Sequence, residues 1–203
     1  MPRPRLVSDE QICHAMRQAV LTHGPAVSLD VVAQELGVTG PALLKRFGTR
    51  ENLLLAALLP PPEPDWVRFV REGPSSAPLH EQLLEIFTRI SAFMKEVVPC
   101  LTALRESGIP HTRAFRDREP PLRGLESLKG WLVAARERGL VTATELDTTA
   151  LAIMGALQAR AFFQHVLQAD VPPASQQDYL QELADLFTRT LAPDPAPRPV
   201  RRS

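Results

Sequence analysis

Apolar residues recur along most of this sequence every three or four positions, the spacing at which they share one face of an α-helix. Near the N-terminus the pattern is interrupted by glycine and proline, which end helices. The interruptions predict four helices that end at His23-Gly24-Pro25, at Gly37, at Gly48 and at the PPPEP block that begins at Pro60. Residues suited to cap the N-termini of these helices precede them, namely Ser8, Ser28, Thr39 and Thr49.

Longer amphipathic helices are predicted in the rest of the chain. The apolar spacing favours helices at 79–94, 97–105, 122–138, 145–167 and 175–191, with a short helix in DWVRFVRE. Pro99 predicts a break between the first two, because proline lacks the backbone N–H that a helix interior needs. An Ala/Leu-rich composition with 5% aromatic residues also favours helices over strands, so we expect an all-α fold.

The charge of the chain is balanced, with 23 Lys and Arg residues against 23 Asp and Glu residues. The protein as a whole is therefore not a binder of polyanions, and any contact with nucleic acid must be local. The N-terminus has no apolar signal region, and the longest apolar run, 53–59, is too short to cross a bilayer. We expect a cytoplasmic protein without a membrane partner.

The sequence contains no pattern that predicts a metal site, a cofactor or catalysis. Cys13 and Cys100 are far apart and form no CxxC pair, and the five histidines show no metal-ligand spacing. No phosphate-binding loop, nucleophile elbow or dinucleotide fingerprint occurs. We therefore expect no enzyme activity and no cofactor.

Two short predicted helices joined at Gly37-Val38 carry an unusual charge pattern. Within 36–50 the only charged residues are Lys45, Arg46 and Arg50. Two such helices joined by a tight turn with glycine form a helix-turn-helix, whose second helix enters the DNA major groove. Apolar residues on the inner side could close a small core, and they are Val32, Ala33, Leu36, Val38, Leu43 and Phe47. The outer side is expected to offer Thr39, Gly40, Ala42, Leu44, Lys45 and Arg46 to solvent.

The segment DVVAQELGVTGPALLKRFGTRENLL resembles the DNA-binding segment of TetR-type transcriptional regulators. The family's usual form reads roughly Ile-Ala, Gly-Val-Ser, Leu-Tyr-x-x-Phe and Lys-Glu-x-Leu. This chain has Val-Ala, Gly-Val-Thr, Leu-Leu-x-x-Phe and Arg-Glu-x-Leu at the corresponding places. The departures are Leu44, where the family has a phosphate-contacting tyrosine, and Arg50, which keeps the charge of the usual lysine. Leu44 could instead make an apolar contact with a thymine methyl group.

The resemblance implies a domain organisation and a set of partners. Residues 1–49 would form the DNA-binding head, with the helix-turn-helix at 28–47, and residues 50–192 a helical domain for ligand binding and dimerisation. The tail 193–203 is expected to be disordered because of its composition. The implied function is a homodimeric, ligand-responsive repressor of a palindromic operator. The expected DNA-binding residues are Ser28, Thr39, Gly40, Pro41, Ala42, Leu44, Lys45, Arg46 and Arg50.

Two further sets of residues are candidates for the body of the protein. A small apolar or aromatic ligand could contact Trp66, Phe69, Phe87, Phe93, Met94, Phe115, Trp131, Met154 and Phe162, although for any one of them a place in the core is the simpler interpretation. The last two long helices carry more apolar surface than one face needs, so pairing two copies would bury it as a four-helix bundle. The expected dimer residues are Leu157, Leu180, Leu183 and Phe187, unless both stripes pack inside one subunit.

A second function class remains open from the sequence. A small-molecule-binding or helical interaction protein could keep this helix-turn-helix without binding DNA, and the loss of tyrosine at Leu44 is the feature that most favours this alternative. Activation of transcription in place of repression also remains open from the sequence.

Overall fold

The computed structural model of the chain describes residues 7–109, 122–169, 171–173 and 175–193. Within these ranges the chain forms nine α-helices and no strand, which confirms the predicted all-α fold. The helices are α1 (Asp9–His23), α2 (Leu29–Leu36), α3 (Gly40–Phe47), α4 (Arg50–Leu58), α5 (Asp65–Arg71), α6 (Leu79–Glu106), α7 (Leu122–Glu137), α8 (Leu146–Val166) and α9 (Gln176–Leu191).

The first helices begin and end at the residues that local sequence chemistry favours. Ser8 forms a reciprocal capping box with Gln11, and the Thr39 and Thr49 hydroxyls accept from backbone N–H groups at the starts of α3 and α4. α2 ends at Gly37, whose φ of 67° lies in the left-handed region that glycine adopts without a steric penalty. These caps fix short helices that would be marginal in isolation.

The predicted break at Pro99 is wrong, because α6 continues from Leu79 to Glu106 with Pro99 inside it. Side chains around the proline are buried, among them Val98, Cys100 and Leu104. Burial of this apolar face stabilises the helix and offsets the hydrogen bond that proline cannot donate.

The described residues fall into two compact units, one within Met1–Pro62 and Met94–Pro120, the other within Glu63–Phe93 and Pro121–Ser203. The core of the first unit contains side chains of α1 to α4 together with the last part of α6. Leu53, Leu54 and Leu58 of α4 are fully buried there. The domain boundary expected after residue 49 therefore falls inside a packing unit. Apart from Pro193, the predicted disordered tail lies outside the described residues.

The second unit is built around large buried side chains of α5 to α9. They include Trp66, Phe87, Leu128, Trp131 and Ile153. The edge of the Phe87 ring meets Phe187, with 5.8 Å between ring centroids, which joins α6 to α9.

Arg160 is a buried charged residue on α8 that no local sequence pattern singles out. Its guanidinium donates to the carbonyl oxygens of Val171 at 3.0 Å and Pro173 at 2.8 Å, and to Oε1 of Gln176 at 3.2 Å. These acceptors lie in the segment that connects α8 to α9 and in the first residue of α9. Arg160 therefore holds this connecting segment against α8.

No helix in the described ranges is both long enough and apolar enough to span a membrane. In the same part of the chain, no three His, Cys, Asp or Glu side chains gather in a way that could hold a metal ion.

Candidate nucleic-acid interface

The α2–α3 pair has the close packing that a helix-turn-helix needs. Val32 and Ala33 of α2 and Leu43 of α3 are buried in the core of the first unit. Gly40 is buried as well, so the expectation that it faces solvent is wrong. A Cβ atom at this position would lie 3.0 Å from Oδ1 of Asp30 and 3.9 Å from Cβ of Leu29. Glycine therefore allows the start of α3 to lie against the start of α2.

The outward side of α3 is short and poor in hydrogen-bonding groups. Pro41, Ala42, Leu44 and Lys45 are exposed there. Pro41, Leu44 and Lys45 are spaced i, i+3 and i+4, so they share one face of the helix. Lys45 makes no ion pair or hydrogen bond with any residue that the structure describes. Its exposed ammonium group is therefore available to a phosphate.

Arg46 is also exposed on α3 and contacts the N-terminal end of α1. Its Nη2 lies 2.6 Å from Oδ1 of Asp9, and its Nη1 donates to the Val7 carbonyl oxygen. Both charged side chains remain substantially exposed. An exposed pair of this kind contributes at most about 1 kcal/mol, so a DNA phosphate could compete for the guanidinium.

Arg50 occupies a different environment from Lys45, although the sequence groups the two cations together. Its Nη2 donates to the carbonyl oxygens of Pro25 and Val27, the latter at 2.9 Å, and the side chain is half-buried. These bonds tie the first residue of α4 to the turn between α1 and α2. Arg50 therefore holds the head together, and the phosphate contact expected of it stays a prediction.

Arg17 makes a similar link at the other end of α4. Its Nε donates to the Ala57 carbonyl oxygen at 2.7 Å, which gives one carbonyl of the last turn of α4 a partner from α1. Local sequence patterns could not reveal Arg17 or Asp9, because each contacts a residue far away in the chain. The tertiary structure brings Arg17 to the C-terminal end of α4, where a cation is favoured.

The two hydroxyl residues of the interface differ in what they already bind. Thr39 accepts from the backbone N–H of Ala42 at 3.4 Å, as an N-cap residue does. Ser28 occupies the N-cap position of α2, but its side chain makes no capping hydrogen bond and is exposed. The Ser28 hydroxyl is therefore available for a ligand at the start of α2.

The residues expected to contact a small ligand do not form a single set. Trp66, Phe87, Met94 and Trp131 are buried, but Met94 belongs to the first unit and the other three to the second. Phe69, Phe93 and Met154 are half-buried, and Phe115 lies outside the described residues. Phe162 is 45% exposed, unlike the buried members of the set, and the ligand contact expected of it stays a prediction.

Trp66 combines burial with an unsatisfied polar group. The side chain is 3% exposed, and its indole N–H has no hydrogen-bond partner among the described residues. Phe93 lies beside it with ring centroids 6.3 Å apart, and a Cβ atom at Gly124 would approach the indole ring to 2.7 Å. A buried donor without an acceptor is costly, so an acceptor on a bound molecule would be favourable here.

Three of the four expected dimer residues pack inside the chain, and the role expected of them in a dimer interface stays a prediction. Leu157, Leu180 and Leu183 are buried, with exposed fractions of 2%, 6% and 8%. Phe187 is half-buried against Phe87. The same two helices nevertheless expose other large apolar side chains, which are Leu151, Phe162, Phe163 and Val166 on α8 and Leu186 on α9.

The sequence matches no family model and no curated protein. Solved structures, however, match its fold. A protein assigned to the TetR family of transcriptional regulators from Mesorhizobium loti aligns with a TM-score of 0.68 at 15% identity, covering 91% of this chain and 96% of that chain. A TetR transcription regulator from Haloarcula marismortui gives a TM-score of 0.65 at 18% identity, with coverage of 91% and 98%.

A third neighbour is the TetR transcriptional regulator SCO0520 from Streptomyces coelicolor. It shares 22% identity at a TM-score of 0.54, and the alignment covers 93% of this chain and all of the other. These alignments span both units, and at such identities they show the fold. The chain has the fold of the TetR-type regulators, with an N-terminal helix-turn-helix head and a helical body, as its sequence resemblance implied.

Proposed function

We propose that this protein is a cytoplasmic DNA-binding transcriptional regulator that places α3 in the major groove. The observation that carries the proposal is the outward side of α3, which is exposed next to a tight glycine turn and carries Lys45 without a partner among the described residues. A short helix with small side chains at its start allows a close approach to base edges, and its cation can bind a phosphate.

Each polar residue of the interface has a distinct proposed role. Lys45 binds a phosphate directly, and the exposed Ser28 hydroxyl donates to another at the start of α2. Arg46 exchanges its contact with Asp9 for a phosphate oxygen when DNA is present. Thr39 positions α3 by capping it, and Arg50 positions α4 against the turn between α1 and α2.

The functional unit in this proposal is a homodimer joined through α8 and α9. Leu151, Phe162 and Val166 lie along one stripe of α8, and Leu186 of α9 is also exposed. A stripe of this length leaves an apolar surface that pairing with a second copy would remove from water. Two heads related by a two-fold axis would bind a palindromic operator with half-sites about one helical turn apart, roughly 34 Å.

The body of the protein is proposed to bind a small apolar or aromatic molecule that carries a hydrogen-bond acceptor. The unpaired indole N–H of buried Trp66 supports this assignment. Such a ligand would act as an inducer if it bound the DNA-free form more tightly, and by linkage operator DNA would weaken its binding by the same factor. Repression is the sign of regulation that we propose, and we propose no catalytic activity.

The test of this function is binding of the full-length protein to duplex DNA. The DNA upstream of its own gene and a pool of random duplexes are offered, and retained sequences are identified after repeated selection. The proposal expects a palindromic sequence to be enriched and to shift in a gel at lower protein concentration than a scrambled duplex. Equal binding of both duplexes, or none, favours the alternative of a ligand-binding or interaction protein that does not regulate through DNA.

A further inference from the structure

We propose that Leu44 gives this protein a preference for the 5-methyl group of pyrimidines in the major groove, with Pro41 extending the same apolar contact. The inference rests on the proposed function, since it specifies what α3 recognises on DNA. It assigns a specificity-determining role to a position where the resemblance implied a phosphate-contacting tyrosine.

The outward side of α3 presents few groups that could read bases through hydrogen bonds. Direct readout of guanine commonly uses Arg or Lys, and readout of adenine commonly uses Asn or Gln. On the outward side of α3, Pro41, Ala42 and Leu44 carry no hydrogen-bonding side chain. Arg46 is directed to Asp9 and the Val7 carbonyl oxygen. Lys45 is the remaining cation, and a flexible ammonium group suits a phosphate as well as a base.

Leu44 is exposed on the outward side of α3. Its side chain is 37% exposed although it lies one residue after the fully buried Leu43. Pro41 is also exposed and lies one turn earlier on the same face, so the two side chains form a continuous apolar strip along the helix. Because Gly40 is buried against α2, the strip begins at Pro41.

The group on DNA that complements an apolar side chain is the methyl group of thymine. The major-groove edge of thymine carries a C5 methyl group, which is the one apolar group that an unmodified base pair displays there. 5-Methylcytosine carries the same methyl group at the same carbon. The ligand chemistry is therefore a 5-methylpyrimidine, and thymine and 5-methylcytosine are its two sources.

The test begins with the duplex obtained by selection. Each thymine is replaced in turn by deoxyuridine, which removes the methyl group and leaves the base-pairing hydrogen bonds intact. Affinity is measured by fluorescence anisotropy at one salt concentration. At about 0.8 kcal/mol per buried carbon, loss of one contacted methyl group should weaken binding about fourfold, and loss of the symmetric pair about fifteenfold.

Two variants connect the effect to Leu44. In Leu44→Ala the deoxyuridine penalty at the contacted position should fall to less than about twofold, because the partner of the methyl group is gone. Leu21→Ala is the matched control, since Leu21 lies on α1 and is 42% exposed. This control should keep the full penalty.

The two methyl sources are separated by a further substitution. At the sensitive position, a C·G pair should weaken binding, and 5-methylcytosine paired with guanine should recover part of the loss. Deoxyuridine without effect at every position, an equal penalty in Leu44→Ala, or a selected site without thymine in either half would overturn the inference while leaving DNA binding established. If selection enriches no duplex at all, the proposed function itself fails.

Discussion

Replacing Arg50 by Ala tests whether this residue stabilises the DNA-binding head or contacts DNA. The guanidinium of Arg50 donates to the carbonyl oxygens of Pro25 and Val27, and Val27 is itself buried. Loss of a charged donor from such a pair costs about 1.5 to 3 kcal/mol, because the carbonyl groups lose their partner in a partly dry environment. We therefore expect Arg50→Ala to lower the free energy of unfolding by about 2 kcal/mol.

Lys45→Ala is the matched comparison, since Lys45 is exposed and its charge is equal to that of Arg50. Its free energy of unfolding should change by less than about 0.5 kcal/mol. Arg50→Lys should recover only part of the loss, because an ammonium group on a flexible stem cannot reproduce the planar donor geometry. Urea unfolding followed by circular dichroism gives these values.

Arg50→Ala and Lys45→Ala test the assignment a second time on DNA. At a temperature where Arg50→Ala is fully folded, the slope of log affinity against log salt should match that of the parent, whereas Lys45→Ala should lower its magnitude. The reasoning is refuted if Arg50→Ala is as stable as the parent and reduces the salt slope, since Arg50 would then be a phosphate contact.

Three further predictions address the body and the cysteines. Leu151→Glu combined with Phe162→Glu should convert the dimer to a folded monomer in sedimentation, because both side chains are exposed. Leu157→Glu should instead unfold the chain, because Leu157 is buried. An unchanged dimer in the double variant would contradict the proposed interface. Burial raises the pKa of the Cys13 and Cys100 thiols, so native protein at pH 8 should react with iodoacetamide more slowly than urea-unfolded protein, and equal rates would contradict this. Because the thiol pKa values are raised only in the folded state, the stability that these thiols contribute is present below the ordinary thiol pKa and falls as the pH rises beyond it. Unfolding curves should therefore show a smaller contribution from the two thiols at pH 10 than at pH 7.

The helices could be predicted from the sequence where their ends depend on neighbouring residues. Gly37, Thr39 and Thr49 act within one turn of the helix that they end or begin, so their effect is visible locally. The helix break predicted at Pro99 is wrong because burial of the side chains around the proline offsets its local penalty, and this burial depends on the tertiary structure.

The interface was only partly predictable for a similar reason. The charges of Lys45, Arg46 and Arg50 are evident in the sequence. However, Arg46 contacts Asp9 of α1, and Arg50 binds the turn that follows α1. No local pattern distinguishes a cation that binds a backbone carbonyl group from one that remains available to DNA.

The dimer residues show the limit of helical periodicity. α8 carries apolar side chains on more than one face, so the sequence identified the helix without showing which face is buried. Leu157 packs inside the chain and Leu151 is 60% exposed, although both are leucines of the same helix.

The measurement that tests the central claim most directly is the affinity of the full-length protein for its selected duplex at a series of salt concentrations. The parent is compared with Lys45→Ala and with Lys129→Ala, a control in the body whose ammonium group pairs with Asp147. For a dimer that binds one phosphate through each Lys45, removal of the side chain should reduce the magnitude of the salt slope by about two, and Lys129→Ala should leave it unchanged. Identical slopes for Lys45→Ala and the parent would contradict the placement of α3 on DNA.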